Sequence, residues 1–220
     1  KGMPYRSKVT DATGKVYSKT TTAYVADNDL AAPWYTPQSQ IDTYLCESGT
    51  CASHTRTTFA YDHQFGNLSY ETHYGDLASA YDDRAIYRTY SDNVTDWIVG
   101  LPTRESHYNS SNTSSVNLVA QKTFLYDGTG GCASPNGTTT PTKGHLTKAT
   151  NWLSVTGAEY DVWGNITCTR DANGNVSTVT YDSTKTFPTT TTNPLGHVTT
   201  TQYYGVDGQV VDKVSIISRS

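Results

Sequence analysis

A short phrase recurs along the chain, and this recurrence restricts the possible folds more than any other feature of the sequence. Tyr61-Asp62 is followed by Phe65-Gly66-Asn67, and Tyr160-Asp161 is followed by Trp163-Gly164-Asn165. A further copy begins at Tyr181-Asp182, about twenty residues after the second, a period within the range of repeat architectures. A catalytic site requires its residues once, whereas a phrase that returns at a steady period is typical of a stacked structural unit.

Each copy has the chemistry of a strand that ends in a tight turn. Glycine permits the positive φ of a hairpin turn, and aspartate hydrogen-bonds to its own backbone there. The β-branched and threonine-rich run that follows predicts a strand, whose terminal tyrosine covers the sheet. We therefore expect Tyr160 and Tyr181 to pack on the sheet, and Gly164 and Gly174 to occupy turn positions that disfavour a side chain. The residues assigned to the repeat are Tyr61, Asp62, Gly66, Tyr160, Asp161, Gly164, Gly174, Tyr181, Asp182, Gly196 and Gly208, with looser copies at Tyr81-Asp82, Tyr126-Asp127 and Tyr204.

The composition agrees with a chain made of strands. Only 16% of the residues are charged, whereas tyrosine and glycine each occur 17 times and threonine is frequent throughout. An isolated hairpin is only marginally stable in water, so the repeated hairpins must stack on one another. We predict an all-β chain in which antiparallel hairpins stack into one continuous curved sheet, with residues 1–220 forming a single repeat region.

Two segments interrupt the repeat. Residues from about 30 to 54 contain two prolines and two cysteines, and we expect them to form an ordered excursion that precedes the strand TRTTFAYD. Residues from about 128 to 143 are rich in Gly, Ser, Thr and Pro, which predicts a loop or a long hairpin insertion.

Several classes of function are disfavoured by charge and hydropathy. The formal net charge of -4 argues against nucleic acid as a partner, because phosphate binding favours a basic surface. No apolar run has the length of a membrane span. The chain has neither an initiator methionine nor a secretory leader, so we expect a segment of a longer polypeptide.

The four cysteines fit an exported protein, in which disulfides persist. Cys46 and Cys51 are close enough in sequence to form a bridge worth about 2 kcal/mol, and this is the candidate disulfide. Free thiols are an alternative, and so is a metal site that adds His54 and His63. Cys132 and Cys168 lie far apart in sequence, and we do not expect a bond between them.

No catalytic constellation is found in the sequence. Nucleophile elbows, zinc-protease motifs and phosphate-binding loops are absent, and most aspartates occupy turn positions. We predict no catalytic residue, no cofactor and no metal site. We interpret the four tryptophans, Trp34, Trp97, Trp152 and Trp163, as packing residues rather than a sugar-binding platform, and sequons such as Asn67-Leu68-Ser69 as chance matches.

The repeated phrases, together with Asn193-Pro194-Leu195-Gly196-His197-Val198, resemble the Rhs/YD-repeat family. Three other stretches make the resemblance more specific: GMPYRSKVTDATGKVYSKTTTAY, the CESGTC loop before TTFAYDHQFGN, and TDWIVGLPTRES. They are similar to the shell region of insecticidal toxin-complex B-type components and related secreted Rhs proteins. The resemblance covers nearly the whole chain.

The resemblance implies a sheet that spirals into a hollow β-shell around a toxic C-terminal domain, with teneurins carrying a related shell on animal cell surfaces. In the family, a downstream plug with a self-cleaving aspartyl site closes the shell. Its Asp-Pro-x-Gly run is not found here, because Asn193 stands where the acid would be. The resemblance therefore implies a wall function and no catalytic residue.

Two hypotheses for the function follow. The first is a structural segment of a secreted toxin-type Rhs protein, which forms part of the shell wall and has neighbouring repeats as its partners. The alternative is an extracellular binding or self-assembling module, which engages a cell surface, a glycan or copies of itself through its strand edges and forms filaments. Both hypotheses place the chain outside the cell.

Overall fold

A computed structural model describes residues 3–25, 36–47, 50–62 and 64–203, and the backbone of 214–219. Over these ranges the only helix is a short 3-10 turn, Ser115–Asn117, and no helix has the length and apolar character needed to cross a membrane. The strands are β1 (Arg6–Thr10), β2 (Val16–Tyr24), β3 (Gln38–Glu47), β4 (Thr50–Tyr61), β5 (Leu68–Tyr74), β6 (Arg84–Tyr90), β7 (Pro102–Tyr108), β8 (Leu118–Asp127), β9 (Gly137–Thr138), β10 (Leu146–Asn151), β11 (Ser154–Tyr160), β12 (Ile166–Arg170), β13 (Val176–Tyr181), β14 (Pro188–Thr192), β15 (Val198–Tyr203) and β16 (Val214–Arg219).

All of these strands belong to one sheet, and neighbours along the chain are neighbours in the sheet. The exception is the two-residue β9, which among the described strands pairs only with the end of β8. The strand that follows β8 in the sheet is therefore β10. Every pair with a described register is antiparallel, as expected for strands joined by short turns. The prediction of an all-β chain of antiparallel hairpins in a continuous sheet is confirmed.

The first of two compact units contains residues Lys1–Tyr90 and Arg104–Gln121. Its longest hairpin joins β3 and β4, which pair from Gln40 with Thr58 to Glu47 with Thr50. The predicted excursion is therefore wrong from residue 38 onward, while residues 26–35 lie outside the described ranges. The residues between the prolines and cysteines alternate between the two faces of the sheet, as a strand requires. The prolines and cysteines on either side drew attention away from that pattern.

The second unit contains residues Ser91–Thr103 and Lys122–Ser220. It holds most of β8 and all strands from β9 to β16. The connection between β8 and β10 forms two irregular stretches around β9.

Few side chains are fully buried, and most of those are small or polar. Ala85, Thr72 and Ser106 each have about 1% of their surface exposed, and Tyr126 is the only large aromatic side chain among the buried residues that the structure describes. Along threonine-rich strands such as β14 and β15, most side chains are half-buried. A large apolar core is thus not what holds these strands together, and the ends of the strands have to be fixed by other interactions.

Two disulfides join the four cysteines. Cys46 and Cys51 are cross-strand partners in the β3–β4 hairpin, with their Cα atoms 3.7 Å apart. Cys132 is bonded to Cys168 of β12, with a Cα separation of 6.2 Å, so the expectation that these two would not pair is wrong. Sequence distance is a poor guide here, because the loop after β8 folds back over β11 and β12. Arg170 donates to the Ala133 carbonyl, and the absent side chain of Gly157 leaves room for the Pro135 ring.

We expect the Cys132–Cys168 bond to contribute more stability than the Cys46–Cys51 bond, because it closes a longer loop. Loop-closure entropy gives about 4 kcal/mol for the first and about 2 kcal/mol for the second. Chemical denaturation of Cys168→Ser and Cys51→Ser variants measures both effects. Peptide mapping without reductant should recover each pair as one linked fragment, and alkylation of any of the four thiols in the native protein would contradict the pairing.

Candidate functional site: the repeated tyrosine clasps

Among the residues that the structure describes, seven tyrosines at strand ends make the same hydrogen bond. In each case the phenol hydroxyl donates to a backbone carbonyl at the start of the preceding strand; Tyr181 of β13, for example, donates to Ile166 of β12 at 3.0 Å. We call each such tyrosine and its carbonyl acceptor a tyrosine clasp. The clasps are Tyr24–Pro4, Tyr61–Gln38, Tyr90–Leu68, Tyr126–Pro102, Tyr160–Leu146, Tyr181–Ile166 and Tyr203–Pro188.

The clasps lie along one end of the sheet in each unit. Alternate strands of an antiparallel sheet run in the same direction, and the clasp tyrosines end alternate strands. Each tyrosine hydroxyl therefore reaches a backbone carbonyl at or just before the beginning of the adjacent strand. Burial raises the pKa of Tyr126 and Tyr160, which keeps both phenols in the neutral form that donates.

A β-bulge accompanies six of the seven clasps. The register between a clasp strand and the next strand of the sheet shifts immediately before the tyrosine, and this leaves one residue of the next strand unpaired. In every case that residue is serine or threonine: Ser39, Ser69, Thr147, Thr167, Thr189 and Ser215.

The hydroxyl group of the bulged residue explains this preference. Four of them donate to the carbonyl of the residue that precedes the tyrosine, at 3.1 to 3.3 Å: Ser69, Thr147, Thr167 and Thr189. The bulge is thus stabilised by its own side chain, at the point where the clasp strand changes register. The sequon at Asn67-Leu68-Ser69 has a structural explanation, since Ser69 is one of these residues.

The aspartate that follows a clasp tyrosine organises the turn. Asp62 accepts hydrogen bonds from the backbone N–H groups of Gln64, Phe65, Gly66 and Asn67. Asp161 and Asp182 accept from residues at the same relative positions in their own turns. The carboxylates are therefore engaged by the backbone of their turns.

Turns without a clasp use the same chemistry at the other end of the sheet. Asp171 and Asn193 each accept from the backbone N–H groups two and four residues later. Asn193 thus occupies an ordinary repeat turn. The glycines of both kinds of turn have positive φ: 87° at Gly164 and 88° at Gly174, with similar values at Gly66 and Gly196.

Asp127 is the most extensively bonded of the turn carboxylates. Burial alone would raise its pKa, but the backbone N–H groups of Thr142, Lys143, Gly144 and His145 donate to it and lower the pKa overall. This single side chain therefore fixes the connection that leads into β10, so that the looser copy Tyr126-Asp127 is a complete clasp and turn.

Other sequence assignments have different outcomes. Tyr81 is fully exposed and is not a clasp tyrosine. Gly208 and Tyr204 lie outside the described residues, and the clasp of that region is made by Tyr203. Tyr24 and Tyr90 were missed because no aspartate follows them directly. The repeat period did not indicate them either, because Tyr24 lies 37 residues before Tyr61 and Tyr90 lies 29 residues after it.

The tryptophans do not pack as expected. Trp97, Trp152 and Trp163 are 73%, 54% and 71% exposed, and Trp34 is not among the described residues. Each of the three lies in a connection between strands rather than on a sheet face, so the packing interpretation was wrong for them. A strand-end tyrosine is held over the neighbouring strand by the hydrogen bond of its hydroxyl, whereas these three indoles lie in turns.

Charged side chains of the first unit form a cross-strand ladder. Arg88 of β6 donates to Glu71 of β5 at 3.2 Å and to Glu105 of β7 at 3.0 Å. His73 and His107 each place Nε2 2.8 to 2.9 Å from the carboxylate two residues earlier on their own strand. Burial would raise the pKa of Glu105, but hydrogen bonds from His107 and Arg88 outweigh it and lower the pKa.

A second charged cluster surrounds the buried Asp42 of β3. Arg56 and His54 of β4 contact its carboxylate at 2.8 and 2.7 Å, and Tyr44 stacks on His54. Burial would raise the pKa of Asp42, and the hydrogen bonds from Arg56, Gln40 and His54 lower it instead. His54 is thus paired with the carboxylate of Asp42. The alternative metal site also needed Cys46 and Cys51 as thiolates, and these are joined in a disulfide. His63 is not described.

One further cluster has metal-ligand residue types. Cys132, Glu159 and Cys168 lie close together, but both sulfurs belong to the disulfide and are not available as thiolates.

We expect Tyr160→Phe and Tyr181→Phe each to lower the free energy of unfolding by about 1 kcal/mol, because the ring is kept and only the clasp hydrogen bond is lost. Replacement by Ala should cost about 3 kcal/mol, since the packing is lost as well. Thermal and urea unfolding measure the change, with Tyr81→Phe as the matched control. Equal stability of Tyr181→Phe, Tyr81→Phe and the parent would contradict the clasp.

Asp127→Asn should destabilise the second unit by about 1 to 3 kcal/mol, because the amide offers one acceptor oxygen where the carboxylate offers two. The folded-state pKa of Asp127 is lowered, so its contribution is present above the unfolded value near 3.8 and is lost as pH falls through the folded value. Urea unfolding at a series of pH values from neutral to below 3.8 should therefore show a smaller acid-induced loss in Asp127→Asn than in the parent. Exposed Asp92→Asn is the control, and identical pH profiles for all three proteins would refute this role.

Comparisons with known proteins give structural likeness at low identity. No protein-family model matches the chain, and no curated protein sequence does. The chain is similar to a crystal structure of TcdB2-TccC3 with Cdc42, at 12% identity and a TM-score of 0.48 over 92% of this chain and 16% of that one.

Two other solved structures are also similar to the chain. One is a Tc holotoxin pore of Photorhabdus luminescens, at 12% identity and a TM-score of 0.39 over 90% of this chain and 12% of that one. The other is a porin-like protein from Bacteroides uniformis, at 9% identity and a TM-score of 0.34 over 98% and 90%. The chain thus spans 16% of the TcdB2-TccC3 chain that it matches, and likeness at this level does not extend to function.

Proposed function

We propose that this chain is a YD-repeat segment of a large secreted protein of the Rhs/toxin type, in which it forms part of a shell wall around a toxic cargo. The observation that carries the proposal is the recurrence of the tyrosine clasp. One hydrogen bond is repeated seven times, and each copy ties the end of one strand to the beginning of another.

The use of the polar side chains supports a structural role. Turn carboxylates such as Asp62 and Asp127 accept several backbone hydrogen bonds each, and Glu71 and Glu105 are paired with Arg88. These acids are committed to turns and to cross-strand pairs. The sequence phrases that resemble Rhs proteins are the same phrases that build the clasps and turns.

The proposal is tested in the complete parent protein by limited proteolysis. A C-terminal cargo enclosed by the wall should resist protease while the wall is intact. Tyr160→Ala with Tyr181→Ala should open the wall and make the cargo digestible, whereas Tyr81→Ala should leave it protected. Rapid digestion of the C-terminal region in the unmodified parent would contradict the shell function.

An edge-pairing module is the second candidate, and the exposed edge strand favours it. All five residues of β1 are exposed, and Val9 is 60% exposed. Among the described strands β1 is hydrogen-bonded to β2 alone, so one row of its backbone groups is open. Such an edge pairs readily with another strand, either a preceding repeat or a second copy of the chain.

We expect the isolated chain to self-associate through this edge, with an apparent mass that rises with concentration in light scattering. Val9→Lys should suppress the rise, because a lysine on an edge strand opposes pairing. Val119→Lys is the matched control, since Val119 is 53% exposed on the interior strand β8. A monomer at all concentrations, or equal association of Val9→Lys and the parent, would exclude the edge.

A further inference from the structure

The first unit contains a cleft of about 700 Å³ at the end of its sheet opposite the clasps. Its floor is formed by the end of β5, the beginning of β6 and the end of β7. The connection from β5 to β6 forms one side, where the backbone N–H of Asp76 donates to Asp82 and that of Leu77 donates to the His54 carbonyl. The loop after β7 begins at Asn109, and Tyr70 holds it through a 2.7 Å hydrogen bond to the Ser111 carbonyl.

One arginine that lines this cleft, Arg84, has no ionic partner among the described residues. Arg84, the first residue of β6, lies in the wall, and it makes no ion pair with any other residue that the structure describes. The other arginine of β6, Arg88, is bound by two carboxylates. A guanidinium presents a planar set of N–H donors that matches a carboxylate group. Arg84 therefore favours a ligand with an anionic group in this cleft.

Hydrogen-bonding side chains surround that arginine. Asp82 and Asn109 line the cleft with His73 and His107. Glu71 and Glu105 contact the Nε2 atoms of the two imidazoles. The Thr57 hydroxyl lies 3.3 Å from Nδ1 of His73, so both ring nitrogens of His73 are engaged within the protein. Carboxylates placed in this way fix the ring orientation of a histidine. The cleft thus offers several acceptors and donors at defined positions, in addition to the single unpaired cation.

The remaining surface of the cleft is suited to the C–H face of a ring. Tyr108 supplies an aromatic side chain, and Ile86 and Val119 supply apolar contacts. Pockets for small molecules combine such surfaces with a few placed polar groups. A simple inorganic anion would leave these contacts unused, and a purely apolar ligand would leave Arg84 without an ionic partner.

We propose that this cleft binds an acidic sugar. The sugar carboxylate pairs with Arg84, the hydroxyls hydrogen-bond with Asp82, Asn109 and His107, and the C–H face lies on Tyr108. The site lies in the first unit at the opposite end of the sheet from its clasps, so it does not depend on the shell function. It assigns a ligand-binding role to a cleft that contains no clasp tyrosine.

Isothermal titration of the chain with glucuronic acid, glucose and acetate tests the proposal. Glucuronic acid should bind, glucose and acetate should bind at least about tenfold more weakly, and Arg84→Gln should lose at least about tenfold in affinity for glucuronic acid. Arg104→Gln is the matched control, because Arg104 is an exposed arginine of the neighbouring β7 that does not line the cleft. Its affinity should equal that of the parent.

Three outcomes would overturn the proposal: no binding of glucuronic acid, equal binding of glucose or acetate, or unchanged affinity in Arg84→Gln. The melting temperatures of both arginine variants should match the parent, because neither side chain is part of a clasp or a turn. If Arg84→Gln unfolds, Asp82→Asn supplies the test with the same ligands, and an unchanged affinity in that variant would also overturn the proposal. Failure here leaves the protease-protection result in the complete parent unaffected, so the two proposals are judged separately.

Discussion

The hydrogen bond from a strand-end tyrosine to the first carbonyl of the preceding strand is the interaction on which the rest of this structure depends. The sheet has few fully buried side chains, so apolar burial does not fix where its strands begin and end. Each clasp fixes one end, and the neighbouring aspartate fixes the turn that follows. A single such bond is worth about 1 kcal/mol. Its repetition spreads the stabilisation along the whole sheet instead of concentrating it in one core.

The fold class was predictable because its signals are residues that lie close together in the sequence. Gly164 and Gly174 have the positive φ that their turns require, and Tyr160 and Tyr181 reach back over the sheet. These features depend on residues within one hairpin, and so a sequence pattern of about twenty residues contains them.

The features that sequence reasoning missed depend on which strands become neighbours. The bulge at Thr167 is defined only by the pairing of β11 with β12, and Cys132 reaches Cys168 only because the preceding loop folds over that hairpin. Tyr90 is a clasp tyrosine without an adjacent aspartate. The cleft at Arg84 likewise combines two connections that are separated in sequence. Register and loop direction are not encoded in the composition of a single repeat.

The hydroxyl protons of the tyrosines provide the most direct test of the clasp. In nuclear magnetic resonance spectra of the native protein, a hydroxyl proton held by a carbonyl exchanges slowly with water and gives an observable signal with cross-peaks to its neighbours. The clasps predict such signals for Tyr126, Tyr160 and Tyr181, with partners in β7, β10 and β12, and none for the fully exposed Tyr81. If the hydroxyl protons of Tyr126, Tyr160 and Tyr181 exchanged as fast as that of Tyr81, the account would be contradicted.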